Sequence, residues 1–209
     1  MKTHTKETQS TMTPEKSLQF LKEGNERFQN NLKANRNLLQ QVNETSDGQF
    51  PFAVILSCID SRVPAELVFD QGIGDIFSVR VAGNIVNEDI LGSIEYGCKV
   101  AGSKVVVVLG HTACGAVKGA CDDVKLGNIT PLLAKIKPAV NAVKEPTDIA
   151  ARTGSNDKFV DEVVYKNVQI SIDQIKANSQ VLTEMEAGNE ILIVGAVYDV
   201  ASGKIDFLD

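Results

Sequence analysis

Two short segments concentrate the residues that could do chemistry. One is Cys58-Ile59-Asp60-Ser61-Arg62; the other is His111-Thr112-Ala113-Cys114-Gly115. Each follows an apolar run, FAVILS in the first case and VVVVLG in the second. Two thiols and one imidazole form a donor set that suits zinc. The number of ligands says more than their kind. No CxxC pair is present, so the four-ligand pattern of structural zinc is missing, and Cys58, His111 and Cys114 leave a fourth position for water. Zinc lowers the pKa of bound water to about 7 at a three-histidine site. Two thiolates donate more charge than two imidazoles, so weaker activation is expected here.

Asp60 and Arg62 sit two residues apart, which on extended backbone places them on one side. They are either a solvated surface ion pair or, in a crevice, a carboxylate kept ionised by the neighbouring guanidinium. In a crevice, Asp60 would accept the proton of a zinc-bound hydroxide and aim its lone pair. With water displaced, the same carboxylate would occupy the fourth zinc position. Taken singly, a strand-end cysteine is commonly a small buried hydrophobe, and a lone HxxC is a weak signal. The two segments together, beside a carboxylate and an arginine, favour the metal. Cys98 and Cys121 lack such neighbours and read as core or surface thiols. His4, the other histidine, lies in a polar N-terminal stretch, leaving His111 as the imidazole for any chemistry. Gly110–Gly115 has the glycine spacing of a phosphate loop, but Ala116-Val117 follows where lysine and a hydroxyl residue are required. No GxGxxG follows a strand, which argues against a dinucleotide site.

The two segments need a scaffold that brings them together. Phe52–Leu56, Ile76–Val81, Val105–Leu109 and Ile191–Val197 are apolar runs suited to buried strands. Helix-like stretches cover Pro64–Phe69, Glu88–Ala101, Cys114–Lys125, Pro131–Val143 and Val160–Ala187, the last stopped by Gly188-Asn189. This alternation predicts an α/β fold, a mainly parallel central sheet flanked by helices, with ligands collecting beyond the carboxyl ends of the strands. The ending VYDVASGKIDFL reads as a hairpin around Ser-Gly. Residues 1–12 read as a flexible tail, and 13–209 as one domain whose first part, 13–45, is an N-terminal helical arm. Thr13-Pro14 caps that arm, and Leu18, Leu21, Phe28 and Leu32 fall on one helical face. The face packs either on its own domain or on a partner subunit.

The chain has 209 residues, enough for one well-buried core without disulfides. It is 43% hydrophobic and 23% charged, ordinary globular values. A net charge of −6 disfavours nucleic-acid binding. Neither a secretory h-region nor a membrane-length apolar run is seen, so a cytoplasmic protein with no membrane partner is expected.

SCIDSRVPAE (Ser57–Glu66) and GHTACGAVKG (Gly110–Gly119) resemble the two signature blocks of the β-class carbonic anhydrases. GDIFSVRVAGN (Gly74–Asn84), SIEYG (Ser93–Gly97) and the ending GAVYDVASGKIDFL resemble the family too, so the likeness spans roughly residues 14–208. It implies one Zn2+ per subunit on Cys58, His111 and Cys114, with water or Asp60 fourth, and an Asp60–Arg62 dyad. It implies a lyase, carbonate dehydratase, that reversibly hydrates carbon dioxide to bicarbonate and a proton through attack of zinc-bound hydroxide. Gln49, Phe77 and Tyr96 match substrate-pocket positions of the plant-like branch, and the Gly115 amide matches a backbone donor. A homodimer or homotetramer with embracing N-terminal helices is implied as well. Related proteins use the same zinc site to hydrolyse carbon disulfide or carbonyl sulfide, which stands as an alternative; a non-catalytic bicarbonate sensor is a more remote one. The inhibitory bicarbonate site of a second branch includes a tryptophan, and this chain has none, so that control is expected to be missing. One departure is Arg80-Val81-Ala82-Gly83-Asn84, where the family often has Arg-Asn-Val-Ala-Asn.

Overall fold

The computed structural model describes residues 3–208. Ten α-helices and five strands run in the order α1 (Lys6–Ser10), α2 (Pro14–Gln29), α3 (Leu38–Glu44), β1 (Ala53–Ser57), α4 (Ala65–Val68), β2 (Ile76–Arg80), α5 (Glu88–Glu95), β3 (Val105–His111), α6 (Gly115–Cys121), α7 (Ile129–Ala134), α8 (Lys137–Ala142), α9 (Asp157–Asn178), α10 (Gln180–Ala187), β4 (Leu192–Tyr198) and β5 (Ile205–Phe207). A π turn, Tyr96–Val100, extends α5.

The sheet order is β2-β1-β3-β4-β5. The first three pairings are parallel, and β5 closes the edge antiparallel to β4. This is the α/β architecture expected, including the terminal hairpin. β1 and β3 are central and buried along their whole length, which is why they read as unbroken apolar runs rather than alternating ones. Their side chains divide between two cores. Val54, Leu56, Val106 and Val108 face the layer containing α9 and α10, whereas Ile55, Val105, Val107 and Leu109 face Leu21, Phe52 and Phe69. Each such aliphatic side chain contributes about 1.5–3 kcal/mol by leaving water.

The N-terminal segment departs from expectation. Over its described part, the stretch read as a flexible tail carries α1, capped by Thr5. Gln9 Nε2 donates to both Pro51 O and Ala101 O at 2.8 Å, and Met12 is buried. Met1 and Lys2 of that tail lie outside the described residues, as does Asp209. A single glutamine side chain, Gln9, supplies the tether, so apolar patterning gave no sign of it. Thr13 caps α2 as expected. Gly24 lets that helix approach the Phe69 carbonyl, where a Cβ would lie 1.8 Å from the oxygen. Asn25 bonds Val68 O and Gly203 O, seating α2 on its own domain. Leu32 does not share the α2 face: the helix ends at Gln29, Asn31 turns to φ 54°, and Leu32 is exposed.

Two long helical runs are split. Pro131–Val143 breaks into α7 and α8, because Pro138 has no N–H to continue the ladder and sits instead in the first turn of a new helix. Val160–Ala187 breaks at Ser179, whose Oγ caps α10 by accepting from Leu182 N and donates to Glu95 Oε1.

Asp70 anchors the arm. Its buried carboxylate accepts from Arg27 Nε at 2.6 Å, Arg36 Nη1 at 2.7 Å and Ala34 N at 3.1 Å. Burial alone would raise its pKa, but these three bonds outweigh it and the carboxyl sits below its ordinary value. A depressed carboxyl stabilises the fold above the unfolded pKa of about 3.9, and the contribution is lost as pH falls through the folded value. Asp70→Ala is expected to cost about 3 kcal/mol at pH 7, because two arginines are left without their anion. In urea denaturation the gap from wild type should narrow as pH drops below about 4.

Candidate metal centre

Parallel pairing sets Ser57 opposite Leu109. Cys58 and His111, 53 positions apart, therefore leave the sheet at one edge and the same level. The ligand atoms of Cys58, His111 and Cys114 all lie within 4.8 Å of one another, and all three residues are buried. Cys114 is carried round by a tight turn in which Ala113 takes φ 54°, an uncommon conformation for a residue with a Cβ.

The imidazole is set by its neighbours. His111 Nδ1 lies 2.9 Å from Thr112 O; a carbonyl only accepts, so Nδ1 carries the proton and Nε2 the lone pair. Nε2 is buried with no hydrogen-bond partner. Leaving such an acceptor unsatisfied costs about 1–3 kcal/mol, and a cation among these donors removes that cost. Thr112 is itself pinned: its N–H donates to Tyr198 O at 3.0 Å, its Oγ1 donates to Asp199 Oδ1 at 3.3 Å, and it accepts from Val200 N at 3.1 Å.

The sulfurs behave as a pair. A hydrogen bond from Cys114 brings the Cys58 thiol down to about 4 against the opposing effect of burial, with the Gly83 amide also favouring the thiolate. The same bond, with burial, pushes Cys114 up. Cys114 thus keeps its proton and donates it to the Cys58 sulfur, at the place where a divalent ion would displace it. Cys98 and Cys121 are pushed by burial to about 12 and about 11, the behaviour of inert structural thiols.

Asp60 and Arg62 form a two-pronged pair, Nε to Oδ1 at 2.9 Å and Nη2 to Oδ2 at 2.8 Å, and the Arg62 amide adds a third bond to Oδ1 at 3.0 Å. Those hydrogen bonds hold the Asp60 carboxyl far below the usual carboxylate range. Asp60 Oδ2 lies 3.9 Å from His111 Nε2, so the carboxylate borders the ligand cluster. Arg80 closes the loop from below, donating to Cys58 O at 3.0 Å and Asp60 O at 2.7 Å.

The structure thus gathers Cys58, His111, Cys114, Asp60 and Arg62, with Gly115 opening α6 directly after the last ligand. The other residues named from the sequence lie apart in a single chain. Gln49 is exposed in a hollow of about 450 Å³ with Thr45, Ile73 and Gly74. Phe77 and Tyr96 stack edge to face, centroids 6.2 Å apart, in another hollow along the edge strand β2. Sequence reasoning missed Thr112, Arg80 and Gly83, which act through hydrogen bonds that residue type does not advertise. The altered Arg80–Asn84 run was the available signal for the last two.

A family model described as carbonic anhydrase matches residues 53–205. Carbonic anhydrase 2 of Mycobacterium tuberculosis is 37% identical over 187 residues, covering 88% of this chain and 87% of that protein. A carbonic anhydrase of Mycolicibacterium smegmatis is 33% identical, covering 89% of each. Among solved structures, the β-carbonic anhydrase CafA of Aspergillus fumigatus superposes with a TM-score of 0.71 at 27% identity, covering 82% of this chain and 81% of that one.

Zinc content measured after purification should be one per chain in wild type, Cys98→Ala and Cys121→Ala. It should be lost in Cys58→Ala, His111→Ala and Cys114→Ala. Full zinc in any of the last three would remove that residue from the ligand set.

Proposed function

This chain belongs to the β-carbonic anhydrase family, and from that premise we infer that it is a zinc enzyme catalysing reversible hydration of carbon dioxide to bicarbonate and a proton. The observation that carries the reading is a buried His111 Nε2 lone pair without a partner, facing two cysteine sulfurs and bordered by an ionised carboxylate. These donors fit zinc, which when bound there supplies Lewis acidity and makes hydroxide available near neutral pH.

The protein's own residues supply orientation. Ionised Asp60 can only accept, so it would accept a hydrogen bond from the attacking oxygen, which keeps its proton, and leave that oxygen's lone pair directed at carbon. Arg62 keeps Asp60 charged and holds both carboxylate oxygens, which favours water over Asp60 in the fourth place. The Gly115 amide is the backbone donor for substrate oxygen. Gln49, Phe77 and Tyr96 are assigned to the substrate pocket, completed by a second copy of the chain. Gln49 and Tyr96 are exposed on one copy and Phe77 is half-buried beside Tyr96, which supports that reading. The β-carbonic anhydrases of Sordaria macrospora, 25% identical, are described as tetrameric. A homodimer or homotetramer is proposed accordingly. No helix among the described residues is long and apolar enough to cross a membrane, and a cytoplasmic site of action is part of the same proposal.

Stopped-flow hydration at neutral pH tests the role of Asp60: Asp60→Asn should retain zinc and lose on the order of 10²–10³ in kcat/KM. Unchanged turnover removes Asp60 from the mechanism. Sedimentation velocity should show no monomer at micromolar concentration, and Val79→Asp on β2 should produce one with depressed kcat/KM. A fully active monomer contradicts the shared pocket.

A further inference from the structure

The turn Ala82–Asn84 has two successive residues at positive φ, Gly83 at 69° and Asn84 at 42°. Glycine and asparagine tolerate this region best, but such a turn leaves carbonyls with no partner in a helix or strand ladder. Both are claimed by α9. Asn167 Nδ2 donates to Gly83 O at 2.8 Å, and Ser171 Oγ donates to Asn84 O at 3.2 Å. Four residues apart, the two donors share a helical face and are each 2% exposed. They interrupt a stripe otherwise made of Val160, Val163, Val164, Val168 and Ile175. Packing α9 on the sheet does not call for two polar groups there; the turn does.

The other side of the turn faces the metal centre. Gly83 N–H donates to Cys58 Sγ at 3.3 Å in a buried setting. A Cβ on Gly83 would meet Ile136 Cδ1 at 2.5 Å and Ala116 Cβ at 3.3 Å, so the position is closed on that side as well. An amide donated to a thiolate draws electron density from the sulfur, and outer partners of this kind tune a metal through its ligands.

We propose that Asn167 is a positioning residue for the metal centre: by holding the Gly83–Asn84 turn it keeps the Gly83 amide on the Cys58 sulfur and sets how much charge that thiolate gives a bound zinc. The inference rests on the zinc reading above. It offsets the excess donation of a two-thiolate ligand set and gives a reason for the Gly83-Asn84 pair at this point of the chain.

Cobalt(II) substituted for zinc reports the sulfur's donor strength through its sulfur-to-metal charge-transfer band. In Asn167→Leu, similar in size but with no donor, the band should move to lower energy and zinc affinity should fall about tenfold or more. Ser171→Ala should shift the band less, in the same direction. Independently of any variant, wild type loaded with cadmium-113 should show coupling between the metal and the Gly83 amide proton across the N–H···S bond. No such coupling overturns the proposal. So does an Asn167→Leu protein that loses thermal stability while band and affinity stay at wild-type values, the signature of a merely structural residue. If Asn167→Leu does not fold, the cadmium coupling and the Ser171→Ala band decide. Absence of any sulfur-to-cobalt band in wild type would instead sink the zinc reading itself.

Discussion

Everything at the site depends on the parallel register of β1 and β3. Setting Ser57 opposite Leu109 puts Cys58 level with Gly110, so that the chain leaves both strands side by side. A slip of one residue would turn every side chain of β1 to the other face, sending Cys58 away from His111 and driving Val54 and Leu56 into the wrong core. The register is strongly specified because both faces of both strands are buried. The cost of a slip falls on many apolar side chains at once, so the cluster inherits the stability of the sheet without spending any of its own.

Around that register the protein arranges a layer of hydrogen bonds that orient the ligands. Thr112 O selects the tautomer of His111, and the β4–β5 hairpin secures Thr112 through Tyr198, Asp199 and Val200. Arg80 fixes the carbonyls on either side of Ile59. Gly83 reaches the Cys58 sulfur, with α9 behind it. Distant parts of the chain thus converge on four peptide groups. This explains why the family likeness runs nearly the whole chain while the reacting groups occupy two short stretches.

The sheet and the donor set were legible in the amino-acid order because each rests on a strong local signal. Four β-branched runs read as buried strands, and the scarcity of histidine left His111 as the one useful imidazole. What escaped were features set by tertiary hydrogen bonds. The Gln9 tether turned an expected tail into a docked helix, and Ser179 ended a helix that propensity would have continued. Leu32 kept the right spacing but fell beyond the end of its helix. Gln49, Phe77 and Tyr96 could be named as pocket residues only by resemblance. In one chain Gln49 and Tyr96 are exposed and Phe77 is half-buried, and spacing along the sequence carries no information about the second copy proposed to complete the pocket.

On the proposed reading, carbon dioxide hydration requires one zinc held by Cys58, His111 and Cys114. Stopped-flow hydration should be followed as zinc is removed with a chelator and then returned in measured amounts. The rate should fall to that of buffer alone and recover linearly, saturating at one zinc per chain. Hydration that persists in the metal-free protein, or full recovery well short of one equivalent, would contradict that reading.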